Sequence, residues 1–220
     1  MMASLKFRHD QTPAVEESLR QIALSLTKLH KTRGIRGVIV TSAGTEDGAT
    51  AITLEIARHL RDSINIRPLV VQIHPNPNGA GRPSRPGTPD LLDLCDGQSL
   101  ESCMEKGAHG LSLVRHKCGP EAKGETGRLQ AALTRLLEST ESDYDLALLS
   151  TPPFLTSANT LVVGEVAPHL LLHVRSGKVR YEVLQRVTRD LGDHNIELLG
   201  TVLDGPKRII PGWFYRLFLK

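Results

Sequence analysis

The sequence predicts an α/β domain built on a doubly wound, mainly parallel sheet, and three observations carry that expectation. Short β-branched or leucine-rich runs alternate with stretches of ten or more residues whose apolar positions recur at helical spacing, the pattern of repeated strand–helix–strand units. A tight loop, T-S-A-G-T-E-D-G-A-T at Thr41–Thr50, joins one such run directly to one such helix. The 220 residues show neither an internal repeat nor a linker, and that length suits one core.

The elements follow in order. Thr12-Pro13 opens a first helix, with a capping hydroxyl and then proline at the first helical position. Val15, Leu19, Ile22, Leu26 and Leu29 mark one face of it, to about His30. Gly34 and Gly37 bracket the entry to a buried strand around Val38-Ile39-Val40, and Ala51–Leu60 is helical after the loop. Arg67–Ile73 reads as the second strand, and His74–Pro89, dense in Pro, Gly and Asn, as a loop. Short helical pieces follow around Asp90–Leu94 and Leu100–Lys106, then a short strand at Leu111–Arg115. Gly119–Gly127 is polar and loop-like, and Leu129–Glu138 is helical. Asp145–Thr151 is a buried strand ending at Pro152-Pro153, Ala158–Ala167 a helix and His169–Arg175 a strand. Tyr181–Leu191 sets Val183, Leu184, Val187 and Leu191 on one helical face, and Glu197–Leu203 is the last strand before Asp204-Gly205-Pro206. Residues 1–205 thus read as one domain and 206–220 as a tail.

Composition narrows the function classes. The formal charge of +3, with no basic stripe interleaved with aromatics, argues against a nucleic-acid partner. Cys95, Cys103 and Cys118 are odd in number and lack a CxxC pair, which suits reduced thiols and not a metal site. The apolar runs fall far short of the ~20 residues of a membrane span. The first six residues lack the apolar core of a signal peptide. The expected setting is the cytoplasm.

Strand, Gly-containing loop and helix form the setting of a phosphate-binding P-loop, in which backbone N–H groups cradle phosphate and a lysine neutralises it. The window Ala43–Thr50 keeps Gly48 and Thr50, but Ala49 occupies the lysine slot. Glu46 and Asp47 put carboxylates where a triphosphate would lie. The frame of a nucleotide site is present, and its charges are largely missing.

Further stretches carry a resemblance. Ser150-Thr-Pro-Pro-Phe, the helix after it, L-L-L-H-V-R-S-G-K ending at Lys178, and L-G-T-V-L-D-G ending at Gly205 stand in order, with T-S-A at 41–43 and Glu17-x-x-Arg20 upstream. Together they resemble the cytoplasmic tyrosine autokinases of bacterial capsule and exopolysaccharide clusters, the CpsD/CapB type, among the deviant-Walker ATPases related to MinD and ParA. The likeness runs from about Ala14 to Gly205 and implies a P-loop NTPase fold. The departures fall at the positions that do chemistry in the family. Its P-loop lysine is Ala49 and a loop glycine is Glu46. The Asp-x-Asp that helps hold Mg²⁺ is Gln72 and His74, and the third motif's Asp is Ser150. The base-contacting Asn is Asp204, the last residue of the N-terminal motif is Ala23, and Tyr215 stands alone where a tyrosine cluster belongs.

The resemblance therefore implies a degenerate nucleotide site at Ala43, Glu46, Gly48, Ala49, Thr50, Gln72, His74, Ser150 and Asp204, with no catalytic residue, no metal and no bound ATP or Mg²⁺. It implies a function by binding, as cytoplasmic partner of a transmembrane polysaccharide co-polymerase at the inner membrane. Oligomers with itself or with an active kinase would use Glu17 and Arg20. Two alternatives stand beside this: an active autokinase or ATPase in which Lys178 or a partner's residue replaces the lysine, and a MinD/ParA-like positioning ATPase. Ser150 is no hydrolase nucleophile, since no G-x-S-x-G elbow surrounds it, and His74 reads as a loop residue. The tail collects Trp213, Phe214, Leu217 and Phe218 within its last eight residues, enough apolar surface to dock on a partner or to fold back onto the core.

Overall fold

The computed structural model describes residues 13–45, 48–75, 90–118, 125–139 and 143–205. Its strands are β1 (Gly37–Ser42), β2 (Pro68–Pro75), β3 (Met104–Lys106), β4 (Ser112–Cys118), β5 (Leu146–Ser150), β6 (His169–Arg175) and β7 (Glu197–Asp204). The helices are α1 (Pro13–Arg33), α2 (Ala49–Ile64), α3 (Leu100–Cys103), α4 (Glu125–Ser139), α5 (Asn159–Gly164) and α6 (Tyr181–Asp193). One seven-stranded sheet runs β3-β4-β2-β5-β1-β6-β7, parallel throughout except for β3 against β4.

Both faces of that sheet are covered, which is why the central strands read as continuous apolar runs. Every residue of β1 and of β5 is buried. On one face Leu19 and Leu26 of α1 and Ile52, Ile56 and Leu60 of α2 pack on Val38, Val40, Val70 and Leu148. On the other, Leu129, Leu133 and Leu136 of α4, Val163 of α5, and Val187 and Leu191 of α6 meet Ile39, Val71, Leu149 and Leu172. Each such side chain contributes about 1.5–3 kcal/mol of transfer free energy. The edge opposite the functional end is tied by Arg67 and Asp145: the Arg67 N–H donates to Asp145 Oδ2 at 2.8 Å and its guanidinium reaches Oδ1 at 3.0 Å.

Several boundaries differ from the sequence reading. Met104–Lys106 is not helical. After the single turn of α3, capped by Ser99, these residues pair antiparallel with β4, Met104 opposite Val114. Their Glu and Lys suit an edge strand. His74 and Pro75, read as the start of a loop, instead end β2, in register with Lys117 and Cys118. Helix α4 starts at Glu125, inside the stretch read as loop, and α5 is confined to Asn159–Gly164. Glu46, Asp47 and the tail with Trp213, Phe214, Tyr215, Leu217 and Phe218 lie outside the described residues. Among the described residues no helix is long and apolar enough to cross a membrane.

Candidate functional site

The site lies where β1, β5 and β6 end. Beyond β1 the chain turns through the loop, and Gly48 caps α2. Three contacts fix this end of the sheet. Thr41 Oγ1 donates to the Pro152 carbonyl at 2.8 Å, the Thr151 N–H donates to Val40 O at 3.1 Å, and the Ala43 N–H donates to His173 O at 2.9 Å. The hydroxyls of Thr151 and Thr160 meet at 2.9 Å, both fully buried. Thr151-Pro152-Pro153 thereby shapes the exit of β5, and the loop is carried on a rigid frame.

Beside the start of α2 the described polar side chains, Thr50, Ser150 and Gln72, are neutral. Ala49, in the lysine slot, is wholly buried. Thr50 Oγ1 and Ser150 Oγ stand 3.1 Å apart, hydroxyl to hydroxyl. Ser150 is in register with Gln72 of β2, and Gln72 with Arg115 of β4, whose guanidinium lies 3.4 Å from Glu105 Oε2. The row from α2 across the sheet is thus Thr50, Ser150, Gln72, Arg115. Magnesium at a phosphate site is held through one or two carboxylates besides water and phosphate oxygens. This row offers two hydroxyls, an amide and a guanidinium already paired, and that donor set does not fit a magnesium–nucleotide. His74 is placed by its backbone alone, at the end of β2. Among the described residues no three His, Cys, Asp or Glu side chains gather as a metal site.

On the other flank of the loop stands an array that runs through a histidine. His173, 3% exposed, turns from β6 towards the loop, with Nδ1 3.0 Å from Ser42 Oγ and Nε2 3.5 Å from Asp204 Oδ2. Ser42 Oγ also accepts the Gly48 N–H at 3.3 Å. The Ser42–His173 hydrogen bond thus joins the start of the loop to the end of β6, with the Asp204 carboxylate 3.5 Å beyond the ring. A Cβ at Gly48 would lie 2.2 Å from His173 Cε1. Gly48 is therefore required here by a neighbouring imidazole, whatever the loop binds.

Comparison with known proteins places this arrangement. No family model matches the chain. Over 126 residues, 56% of this chain, it is 28% identical to a Ralstonia solanacearum protein named as a tyrosine-protein kinase, EpsB. Over 64 residues, 29% of this chain, it is 33% identical to the Bacillus subtilis tyrosine-protein kinase YwqD. The kinase domain of the Escherichia coli tyrosine kinase ETK superposes with a TM-score of 0.73 at 19% identity, covering 96% of this chain and 85% of that one. The chain is similar in sequence to bacterial tyrosine-protein kinases and shares the α/β, MinD/ParA-like fold of their kinase domains. It spans 16% of the length of EpsB and 27% of that of YwqD in these matches.

For this tyrosine-kinase-like domain the remaining site residues fall as follows. Ala43, Gly48, Ala49, Thr50, Gln72 and Ser150 cluster at the strand ends, and Asp204 joins them through His173. Lys178 sits on the turn after β6, where it lines a cavity of about 80 Å³ with Ser42, Gly44, Thr45, His173, Arg175 and Val179. Glu17 and Arg20 are exposed on α1. Glu17 accepts from Gln21 at 3.3 Å, while its neighbour Glu16 turns to Arg58 at 3.1 Å and His59 at 3.0 Å on α2. The sequence reading missed His173 and Arg175. The signal for His173 was one polar residue inside L-L-L-H-V. His169 and His173 have the H-x-x-x-H spacing, but on a strand that separates them by about 13 Å, so they do not converge on a metal.

Proposed function

We propose that this chain is a catalytically degenerate, tyrosine-kinase-like protein of exopolysaccharide or capsule biosynthesis that works by binding, as the cytoplasmic partner of a membrane polysaccharide co-polymerase. The observation that carries the first half is the Thr50–Ser150 hydroxyl pair at 3.1 Å, beside Gln72 and Ala49. Phosphoryl transfer depends on positioning and on neutralising charge through lysine, Mg²⁺ and its carboxylates. Each lost charge-assisted contact costs about 1.5–3 kcal/mol, so losing several removes MgATP binding at ordinary concentrations.

The second half rests on the resemblance to the CpsD/CapB type, and on surfaces that remain once the chemistry is gone. Glu17 and Arg20 are exposed and open to subunit contacts, with a second copy or with an active kinase. Trp213, Phe214, Leu217 and Phe218 supply an apolar docking element beyond Ile209-Ile210-Pro211-Gly212. Incubating the purified protein with MgATP and mapping phosphotyrosine by mass spectrometry tests the reading. The expected result is no modification of Tyr144, Tyr181 or Tyr215, and phosphotyrosine at Tyr215 from ATP alone would overturn it. The enzyme alternative, with Lys178 in place of the missing lysine, is favoured only by the position of Lys178 beside the loop.

A further inference from the structure

We propose that His173 is an autoinhibitory stopper on this loop: acting through Ser42, it keeps the first N–H of α2 bonded inside the protein and closed to ligands. The proposal rests on the reading above, in which the frame of a nucleotide site persists without its charges.

The backbone sets the contact. Ser42 and His173 are register partners on β1 and β6, and the Ala43 N–H donates to His173 O at 2.9 Å. His173 lies two residues beyond Leu171, so its side chain falls on the sheet face that α1 and α2 cover. A polar ring buried there costs free energy unless it is hydrogen-bonded. The bond between its Nδ1 and Ser42 Oγ, at 3.0 Å, offsets that cost and fixes the Ser42 hydroxyl in place. Both residues are almost wholly buried.

Gly48 is then occupied from two directions. A helix leaves its first four N–H groups without an intrahelical partner, and these are what a helix start offers to an anion. At α2 the N–H of the capping residue, Gly48, already donates to Ser42 Oγ at 3.3 Å. On the side-chain side of Gly48 a Cβ would stand 2.2 Å from His173 Cε1, so the imidazole fills that space. An incoming oxygen acceptor must displace the Ser42 hydroxyl, which the ring holds. This obstacle is separate from the missing charge at Ala49. Restoring a lysine alone leaves the Gly48 N–H taken, and removing the ring alone leaves the charge absent. The effect of the ring is therefore read in a loop whose charge has been restored.

The test starts from the protein carrying Ala49→Lys with Glu46→Gly and adds His173→Val. Calorimetric titration with MgATP should show binding tightened by about tenfold, the equivalent of one hydrogen bond released to the ligand. His173→Ala should act in the same direction, and His169→Val, at the other end of β6, should change nothing. A ring that merely packed would, once removed, loosen the loop and leave binding equal or weaker. Amide hydrogen exchange gives a second readout in the chain with its own Ala49 and Glu46. There His173→Val should speed exchange at Gly48 but not at Thr151, whose N–H is bonded to Val40 O at 3.1 Å. Added variants that bind MgATP no better than Ala49→Lys with Glu46→Gly, equal tightening by His169→Val, or unchanged exchange at Gly48 would overturn the stopper. The underlying reading fails separately, through micromolar MgATP binding by the unaltered chain that is lost on Thr50→Val.

Discussion

Replacing Gly48 with alanine attacks the array at the loop with a single methyl group. The added Cβ would stand 2.2 Å from Cε1, 2.7 Å from Nδ1 and 3.0 Å from Nε2 of His173. The backbone there, φ −103 and ψ −13, accepts alanine, so the cost is in packing and not in conformation. Relief requires the imidazole to move by roughly 1 Å or more to reach ordinary contact. The ring is 3% exposed and held between Ser42 and Asp204, so it cannot move without loosening both. Overpacking of this kind costs about 1–3 kcal/mol and a weakened hydrogen bond about 0.5–1.5 kcal/mol. The expected loss is about 2–4 kcal/mol, or roughly 5–15 °C in Tm for a domain of this size. Thermal melts and urea titrations of Gly48→Ala, His173→Ala and the double variant measure it. The ring is absent in the double variant, so Gly48→Ala should then be nearly neutral, with a coupling of more than about 1 kcal/mol. A Gly48→Ala protein as stable as the parent, or equally damaged with and without the imidazole, would refute this account.

Three further outcomes are expected. Gly164→Ala in α5 places a Cβ 2.3 Å from Cδ1 and 2.7 Å from Cγ1 of the buried Ile196, and should cost about 1–3 kcal/mol in urea unfolding. Adding Ile196→Val, which removes only Cδ1, should recover part of it. The hydrogen bond from Arg67 holds the Asp145 carboxyl below its usual range, and a carboxyl lowered by folding stabilises the fold above its unfolded value near pH ~4 and loses that contribution as pH falls through the folded value. Arg67→Gln should therefore be destabilising at neutral pH and indistinguishable from the parent in strong acid, as urea midpoints across pH would reveal. Deleting Trp213–Lys220 should leave Tm nearly unchanged while reducing co-purification with a membrane co-polymerase. A fall of several degrees in Tm would instead make the tail part of the core.

Much of the fold was legible because its strands are buried on both faces. Val38-Ile39-Val40 and His169–Arg175 announce themselves as apolar runs, and Tyr181–Leu191 shows its inward face at helical spacing. What escaped was short or locally ambiguous. Met104–Lys106 is three residues of edge strand, too few to show a period, and only pairing with β4 makes it a strand. Gly127 in the first turns of α4 reads as a breaker, and Pro75 hid the end of β2. At the site, the substitutions at Ala49, Gln72 and Ser150 could be named from the chain because each sits in a local motif. The bond between Thr50 and Ser150 could not, since it joins a helix start to a strand end far along the sequence. The imidazole against Gly48 was hidden for the same reason: one histidine in an apolar strand does not reveal which way it turns.

The central proposal is that the frame of a nucleotide site, β1 and the Gly48-capped start of α2, persists here without its charges, and calorimetric titration of the purified protein with MgATP tests it most directly. The account predicts no magnesium-dependent heat of binding at physiological ATP concentrations, and recovery of weak binding only when Ala49→Lys is combined with Glu46→Gly. A micromolar dissociation constant for MgATP, abolished by Thr50→Val, would contradict it.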